Sequence, residues 1–380
     1  MKKKLLSILL ILAMVFCFAA CGGNDEPAVD EPAGDDQGTA VDFDAIDDNC
    51  ESADGTYQIA MVTDVGPLKD GSFNQFTWNG CKAYASQNGK TYKYYQPANG
   101  SQATDEDRIK AMTDACEAGA EVLVTPGFLQ ETALAAVAPQ YPEVQFIFVD
   151  GWDMGLDNLV GVNYQEEQAG YLAGYAAVME GFTKLGFSGG GGGSNPACIR
   201  YGYGYAQGAN DAAGEKGVTV EMRYSWEHGS SFSDSPELTA MLKGWYEAGT
   251  EVIFMCGGSM FNSGKDAAEA AEAALIGVDV DQSNLSEAVV TSAMKDLAGS
   301  VMLTLGKYYD GGALINGSMT LGAADDAIGI PTDTWSLENW TVEDYEALYA
   351  KVKSGEITVD NDSAMADPSA AGLENITFVK

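Results

Sequence analysis

Four charged residues of this 380-residue chain stand at the ends of apolar runs that read as β-strands. Asp64 closes IAMVTD, Asp150 closes FIFVD, Asp279 closes LIGVD, and Lys295 follows VVTSAM. Ligands of open α/β sheets bind in the crevice outside the carboxyl ends of the strands. There, carboxylates accept hydrogen bonds from hydroxyl or ring N–H groups, and a lysine donates them. We therefore predict that these four residues bind a ligand; capping of a helix or turn is the alternative for any one of them.

Three aromatic residues extend this chemistry, because Phe73, Trp152 and Phe232 can face a flat ring. Rings combined with hydrogen-bond acceptors and one cation suit a sugar-bearing or heterocyclic ligand. Packing inside a hydrophobic core is the alternative for each ring.

The sequence predicts no catalytic residue, no metal site and no cofactor. His228 is the single histidine, which leaves little for a histidine-based zinc site or a catalytic triad. The glycine run 189–193 is followed by Ser-Asn-Pro, whereas a phosphate loop needs Gly-Lys-Ser/Thr. A formal net charge of -36 repels phosphate backbones, so nucleic acid is not expected as a partner.

The elements that would position these residues follow an α/β pattern. From Thr56 onward, short β-branched runs alternate with amphipathic stretches, which is typical of parallel sheets with crossover helices. Helices are predicted to begin near Asn74 and at Thr104. The segment EAGAEV before VLVTPG is echoed by EAGTEV before VIFMCGG, which predicts two similar Rossmann-like lobes. Separate Rossmann-like halves of an enzyme are the alternative.

The N-terminus reads as an export and anchoring signal. Lysines at positions 2 to 4 precede an apolar stretch that is too short for a stable membrane span, so residues 1–20 are predicted to be a lipoprotein signal peptide. Cys21 would then be the lipidated first residue; an ordinary signal peptide with a chance cysteine is the alternative. Residues 22–55 carry 12 acidic and no basic side chains, which predicts a disordered tether over 21–55.

Several separate segments resemble one known family, the basic membrane protein (BMP) family of substrate-binding lipoproteins of ABC transporters. Its best-understood branch binds purine nucleosides. The segments that carry the resemblance are IAMVTDVGPLKDGSFNQFTWNG, FIFVDG, NLVGVNYQEEQAGYLAGYAA, FSD, EVIFMCGGS, IGVDVDQ and VVTSAMK. The resemblance implies a type I periplasmic-binding-protein fold, with three hinge crossings between the lobes. It places residues 56–162 and 289–314 in the N-lobe, and residues 163–288 and 315–380 in the C-lobe.

The resemblance also implies roles for individual residues. Phe73 and Phe232 would sandwich the purine, and Asp150 would pair with the edge of the base. Asp279 and Lys295 would hold the ribose, while Asp64 and Asn74 would complete the N-lobe wall. Gly257 and Gly258 belong to the expected site, although the sequence Gly-Gly-Ser-Met there departs from the Gly-Gly-Thr-Gly that is common in the family.

By this resemblance the chain would be a monomeric binding protein without enzymatic activity, lipid-anchored on the extracytoplasmic face of a bacterial cell membrane. It would capture adenosine, inosine or guanosine and deliver it to an ABC permease. Three alternatives stay open: another neutral ligand such as a sugar or a flavin-like molecule, a nucleoside-sensing surface lipoprotein, and a nucleoside-processing enzyme.

Overall fold

The structure is a computed structural model that describes residues 41–50 and 52–380. The strands, in chain order, are β1 (Ile59–Val62), β2 (Tyr92–Tyr95), β3 (Val122–Pro126), β4 (Gln145–Val149), β5 (Leu159–Tyr164), β6 (Lys184–Gly189), β7 (Val220–Ser225), β8 (Val252–Cys256), β9 (Ala274–Asp279), β10 (Val289–Lys295), β11 (Gly317–Leu321), β12 (Ile328–Gly329) and β13 (Ile376–Val379).

The α-helices, also in chain order, are α1 (Phe73–Gln87), α2 (Asp105–Glu117), α3 (Glu131–Val137), α4 (Glu166–Glu180), α5 (Pro196–Lys216), α6 (Pro236–Glu247), α7 (Phe261–Ala271), α8 (Leu297–Gly311) and α9 (Val342–Lys353). Local sequence explains where they begin. Thr104 and Asp107 form the capping box that starts α2, and Asn195 accepts from the Cys198 backbone N–H at the start of α5.

The strands form two sheets, and each is the centre of one lobe. The first has the order β11-β5-β4-β3-β1-β2 with every pair parallel. The second has the order β12-β10-β9-β8-β6-β7-β13, in which only β12 is antiparallel to its neighbour. The predicted α/β architecture of two similar lobes is confirmed.

The chain passes between the sheets three times: between β5 and α4, between β10 and α8, and between β11 and β12. The expected lobe boundaries are wrong by one strand at two places. Residues 289–295 belong to the second lobe, because β10 pairs in parallel with β9, with Val289 opposite Leu275. Residues 317–321 belong to the first lobe, because α8 packs in its core and β11 pairs with β5.

The acidic segment before the first lobe is partly ordered, so the prediction of disorder through residue 55 is wrong for residues 42–50. The Phe43 ring meets the edge of the Phe76 ring, and Cys50 forms an antiparallel bridge with Tyr92. Lys82, almost fully buried, donates to the Ile46 carbonyl and pairs with Asp48. Apolar anchors and a buried cation thus fix the segment despite its charge. The signal peptide, Cys21 and the tether up to residue 40 lie outside the described residues.

Candidate ligand-binding cleft

A cavity lies between the carboxyl ends of the two sheets, and nine of the ten predicted site residues line it. Asp64 follows β1 by two residues, Asp150 directly follows β4, and Asp279 and Lys295 are the last residues of β9 and β10. The full lining is Asp64, Val65, Asp70, Phe73, Asn74, Gly127, Asp150, Asn195, Ala197, Cys198, Tyr201, Phe232, Cys256, Gly257, Gly258, Ser259, Val278, Asp279 and Lys295.

Three of these residues have a backbone conformation that is rare for side chains other than glycine. The φ angles of Asp150, Phe232 and Asp279 are 54°, 56° and 68°. Positive φ is several-fold enriched at aspartate but is an outlier for a bulky residue such as phenylalanine. Such conformations cost on the order of 1–3 kcal/mol and cluster at functional sites. The backbone is therefore held in strained conformations where these side chains enter the cavity.

Lys295 is the centre of a buried ion cluster that joins the lobes. Its Nζ lies 2.7 Å from both carboxylate oxygens of Asp150, 3.3 Å from Glu166 Oε1 and 3.8 Å from Asp279 Oδ1. Glu166 in turn accepts from Arg200 Nε at 2.7 Å. Because Asp150 follows a strand of the first lobe and Lys295 ends a strand of the second, the pair ties the two lobes together beside the cavity.

Burial and pairing act in opposite directions on the pKa values of this cluster. Burial disfavours the ammonium of Lys295, but Asp150, Glu166 and Asp279 outweigh it and raise its pKa. Burial raises the pKa of Asp150 to about 6, against the lowering effect of Lys295. Glu166 is buried as well, but Arg200 and Lys295 together lower its pKa. Lys295 is therefore charged at any physiological pH, and its charge holds the carboxylates around it.

The first-lobe wall of the cavity is built on the start of α1. Asn74 accepts from the Asp64 backbone N–H at 2.9 Å and donates to the Val65 carbonyl at 3.0 Å. Asp70 accepts from the backbone N–H groups of Ser72, Asn74 and Gln75. These bonds fix the segment between β1 and α1, from which Phe73 enters the cavity.

Direct hydrogen bonds also cross from one lobe to the other at this wall. Ser72 Oγ donates to Asp279 Oδ2 at 2.6 Å, and Gln282 Nε2 donates to the Gly71 carbonyl at 3.2 Å. Ser72, Asp279 and Gln282 are all buried. The two lobes are thus in direct contact across the cleft.

The strands that follow the two echoed sequence segments, β3 and β8, lead into equivalent loops on the two sides of the cavity. Each runs from a strand through a positive-φ glycine and one turn of 3-10 helix into an α-helix, with Gly127 after β3 and Gly257 after β8. A Cβ on Gly127 would lie 2.2 Å from Asp64 Oδ2, and a Cβ on Gly257 would lie 3.1 Å from the Phe232 ring. One loop therefore supports a carboxylate, and the other supports an aromatic ring.

A family model described as ABC transporter substrate-binding protein PnrA-like matches residues 57–363. The chain belongs to this family. It is 28% identical over 333 residues to the ABC transporter nucleoside-binding protein BmpA of Lactococcus lactis subsp. cremoris, which covers 79% of this chain and 88% of the relative. It is 27% identical over 310 residues to basic membrane protein B of Borreliella burgdorferi, covering 74% and 82%. The resemblance to the BMP family is confirmed.

Solved structures agree on the fold of this substrate-binding protein. An ABC transporter solute-binding protein from Aeropyrum pernix K1 superposes with a TM-score of 0.68 at 21% identity, covering 84% of this chain and 97% of that one. A solute-binding protein from Conexibacter woesei gives 0.63 at 20% identity, covering 80% and 99%. The type I periplasmic-binding-protein fold is thereby confirmed.

Trp152 is the one predicted site residue that this substrate-binding protein places elsewhere. Its ring packs on Phe148 with the ring centroids 5.2 Å apart. It lines a neighbouring, more polar cavity with Arg200 and Asn361, which shares Asp150 with the main one. The prediction that Trp152 lines the same cavity as Phe73 and Phe232 is therefore wrong, because the Trp152 ring packs on Phe148 instead.

Sequence reasoning missed several residues of the cavity wall. Asn195 and Pro196 could have predicted the start of α5, because Asn at the N-cap and Pro at the first position are typical of a helix N-terminus. That start places Cys198 and Tyr201 on the wall. Gly127 could have been predicted from the sequence echo, because it occupies the position that corresponds to the predicted site residue Gly257. Val278 inside β9 and Val65 in the loop directly after Asp64 carried no such signal.

Proposed function

We propose that this family member is the binding protein of an ABC importer that captures a purine nucleoside, namely adenosine, inosine or guanosine, between its lobes and delivers it to a permease. The observation that carries the proposal is the pair of phenylalanines in the cavity. Phe73 begins α1 in the first lobe, and Phe232 lies in the β7–α6 loop of the second. A flat base bound in this cavity could stack on a ring from each lobe.

The charges of the wall favour a nucleoside over a nucleotide. Asp64, Asp70, Asp150 and Asp279 line the cavity together with a single cation, Lys295, whose charge is already shared among carboxylates. A phosphate group would add negative charge to this site without a free cation to receive it. Ribose hydroxyls, in contrast, can donate to Asp279 and accept from Lys295.

The name of the Lactococcus relative, a nucleoside-binding protein, supports the same ligand class. In the structure both Asp150 oxygens accept from Lys295. A contact from Asp150 to the base would therefore have to share these acceptors with the lysine. Asp64, the other carboxylate expected at the wall, is the better candidate for the directional contact to the base.

The chain would act at the outer face of the cell membrane, held by lipid on Cys21, as a monomer. No helix within residues 41–50 and 52–380 is long and apolar enough to cross a membrane. Mass spectrometry of the membrane fraction should find a diacylated or triacylated cysteine at position 21 as the N-terminus. A mature protein that begins elsewhere would overturn the anchoring.

The ligand can be tested by native mass spectrometry and calorimetric titration with the three nucleosides. Stacking of a base on an aromatic ring is worth about 1–3 kcal/mol by alanine substitution and tolerates any flat ring. Phe73→Ala and Phe232→Ala should each weaken all three nucleosides by similar factors, and the recovered ligand should be chemically intact.

Phe76→Ala is the matched control, because Phe76 lies one turn along α1 from Phe73 but contacts Phe43 outside the cavity lining. It should leave the affinities unchanged. Failure of all three nucleosides to bind would contradict the proposed ligand, and release of free base or ribose would favour an enzyme.

A further inference from the structure

The side-chain amide of Asn195 has one atom that the fold uses and one that it does not. Oδ1 accepts from the Cys198 backbone N–H at 3.0 Å and so caps the start of α5. Only the amide oxygen can accept this bond, so Nδ2 points the other way. Nδ2 donates to none of the described residues, although only 7% of Asn195 is exposed. The helix cap therefore orients an amide donor that has no acceptor in the protein.

This donor faces open space and is not enclosed by protein. Asn195 Nδ2 is not among the unpartnered polar atoms that the described residues enclose, so it retains accessible surface. Asn195 lines the main cavity and also the neighbouring cavity that contains Trp152 and Arg200. Because the residue is otherwise buried, its accessible nitrogen opens into these cavities. A donor in this place can bind an acceptor that a ligand brings.

The glycine run 189–193 places Asn195 beside the ring of Phe232. A Cβ on Gly191 would lie 2.6 Å from the Cβ of Asn195 and 3.1 Å from Phe232 Cζ, and a Cβ on Gly190 would overlap the same ring. Asn195 and the tip of the Phe232 ring thus both lie against the glycine backbone, in space that larger residues of the run would occupy. A flat ring stacked on Phe232 would therefore have one edge next to Asn195.

The bases of the three proposed nucleosides share only two acceptors. Adenine has an acceptor at N1 and a donor at its 6-amino group, whereas hypoxanthine and guanine have a donor at N1 and an acceptor at O6. N3 and N7 are acceptors in all three bases. A single fixed donor that serves adenosine, inosine and guanosine alike must therefore bind N3 or N7.

We propose that Asn195 donates through Nδ2 to a ring nitrogen of the bound purine, N7 or N3, and so adds a directional contact from the second lobe to the stacking on Phe232. The inference rests on the proposed function. Stacking alone accepts any flat ring. Asn195 would therefore select, among flat ligands, those that carry an acceptor nitrogen at the edge beside it.

Calorimetric titration with adenosine, 7-deazaadenosine and 3-deazaadenosine tests the contact, because the analogues carry C–H in place of N7 or N3. Asn195→Ser keeps a good N-cap residue but removes the amide donor, so the melting temperature of the unliganded protein should stay near that of wild type. Adenosine, inosine and guanosine should each bind this variant about two- to tenfold more weakly. One of the two deaza analogues should bind wild type more weakly by a similar factor and should lose nothing further in the variant.

Ser235→Asn is the matched control, because Ser235 caps α6 by accepting from the Leu238 backbone N–H at 3.1 Å but lies outside the cavity lining. It should bind every ligand as wild type does. If Asn195→Ser weakens adenosine and both analogues by the same factor, or weakens none of them, the inference is wrong and the proposed function stands. Failure of all three nucleosides to bind wild type would overturn both.

Discussion

Buried acidic residues have different partners on the two sides of the cleft. On the hinge side, Asp150 and Asp279 surround Lys295 together with Glu166, and every one of these carboxylates lies within 3.8 Å of the ammonium. On the first-lobe side, Asp64 has the same place at the end of a strand but no cation within bonding distance among the described residues. The position at a strand end thus brings a carboxylate to the cleft, and the neighbouring cation affects its pKa, which is about 6 for Asp150 beside Lys295 and about 7 for Asp64.

The arrangement of the strands explains the difference. Lys295 ends β10, and directly after it the chain crosses from the second lobe to the first. Its side chain therefore reaches carboxylates from both lobes. The nearest cation on the other side, Arg108, donates instead to the Ala103 carbonyl and lies 3.8 Å from Asp105. One side is an ion cluster around Lys295, in which Asp150 has a pKa of about 6, and the other side is a carboxyl group whose pKa is about 7.

Removal of the central cation should have the largest effect. Lys295→Met keeps the length of the side chain but leaves Asp150, Glu166 and Asp279 buried without their shared partner. Loss of one partner of a buried ion pair costs about 3–5 kcal/mol. We therefore expect the free energy of unfolding, measured by urea denaturation at pH 8, to fall by about this amount.

Lys353→Met is the matched control, because Lys353 pairs with Asp326 on the surface, with 41% and 67% of their side chains exposed. Exposed pairs contribute about 0–1 kcal/mol. Equal stability of the two variants would show that the Lys295 cluster is no more important than a surface pair.

Neutralising one carboxylate on each side should shift stability in opposite directions. At pH 8, Glu166→Gln takes a charged acceptor from Arg200 and Lys295, which in spite of burial lower the pKa of Glu166, and a hydrogen bond to a charged group contributes about 1.5–3 kcal/mol. Asp64→Asn removes an uncompensated buried charge, and a pKa difference of one corresponds to about 1.4 kcal/mol. Urea denaturation of the unliganded proteins should show Glu166→Gln less stable than wild type and Asp64→Asn more stable. Changes of the same sign would mean that the two sides do not differ electrostatically.

The strand ends could be predicted from the sequence because apolar runs, turn residues and the rule for open α/β sheets are local or general properties. These properties were sufficient to predict that Asp64, Asp150, Asp279 and Lys295 meet at one cavity. The pairing between them was not predictable, because Asp150 and Lys295 are 145 positions apart and belong to different lobes.

The assignment of β10 and β11 to their lobes failed for a related reason. Both strands are ordinary in composition, and the helix between them, α8, packs in the core of the first lobe, so the segment that follows it returns to that lobe. The prediction for Trp152 failed because the sequence does not indicate the direction in which an aromatic side chain beside a site aspartate points. In the structure the Trp152 ring packs on Phe148.

The smallest expected effect is a difference between wild type and Asp64→Asn in how steeply the stability changes with pH. The pKa of Asp64 is about 7 in the folded protein and near 3.8 in the unfolded chain, so between these values the folded state binds more protons. Stability linked to Asp64 is then present at about pH 4 and is lost as pH rises to about 7, at up to about 1.4 kcal/mol per pH unit. Glu166, whose pKa is lowered, acts in the reverse direction and only at more acidic pH. Thermal unfolding of unliganded wild type and Asp64→Asn from pH 4 to 8 checks this, since Asp70 and Asp150, with pKa values of about 6, contribute equally to both. The wild type should lose stability more steeply than Asp64→Asn between pH 5 and 7, and parallel curves would show that Asp64 is ionised throughout that range.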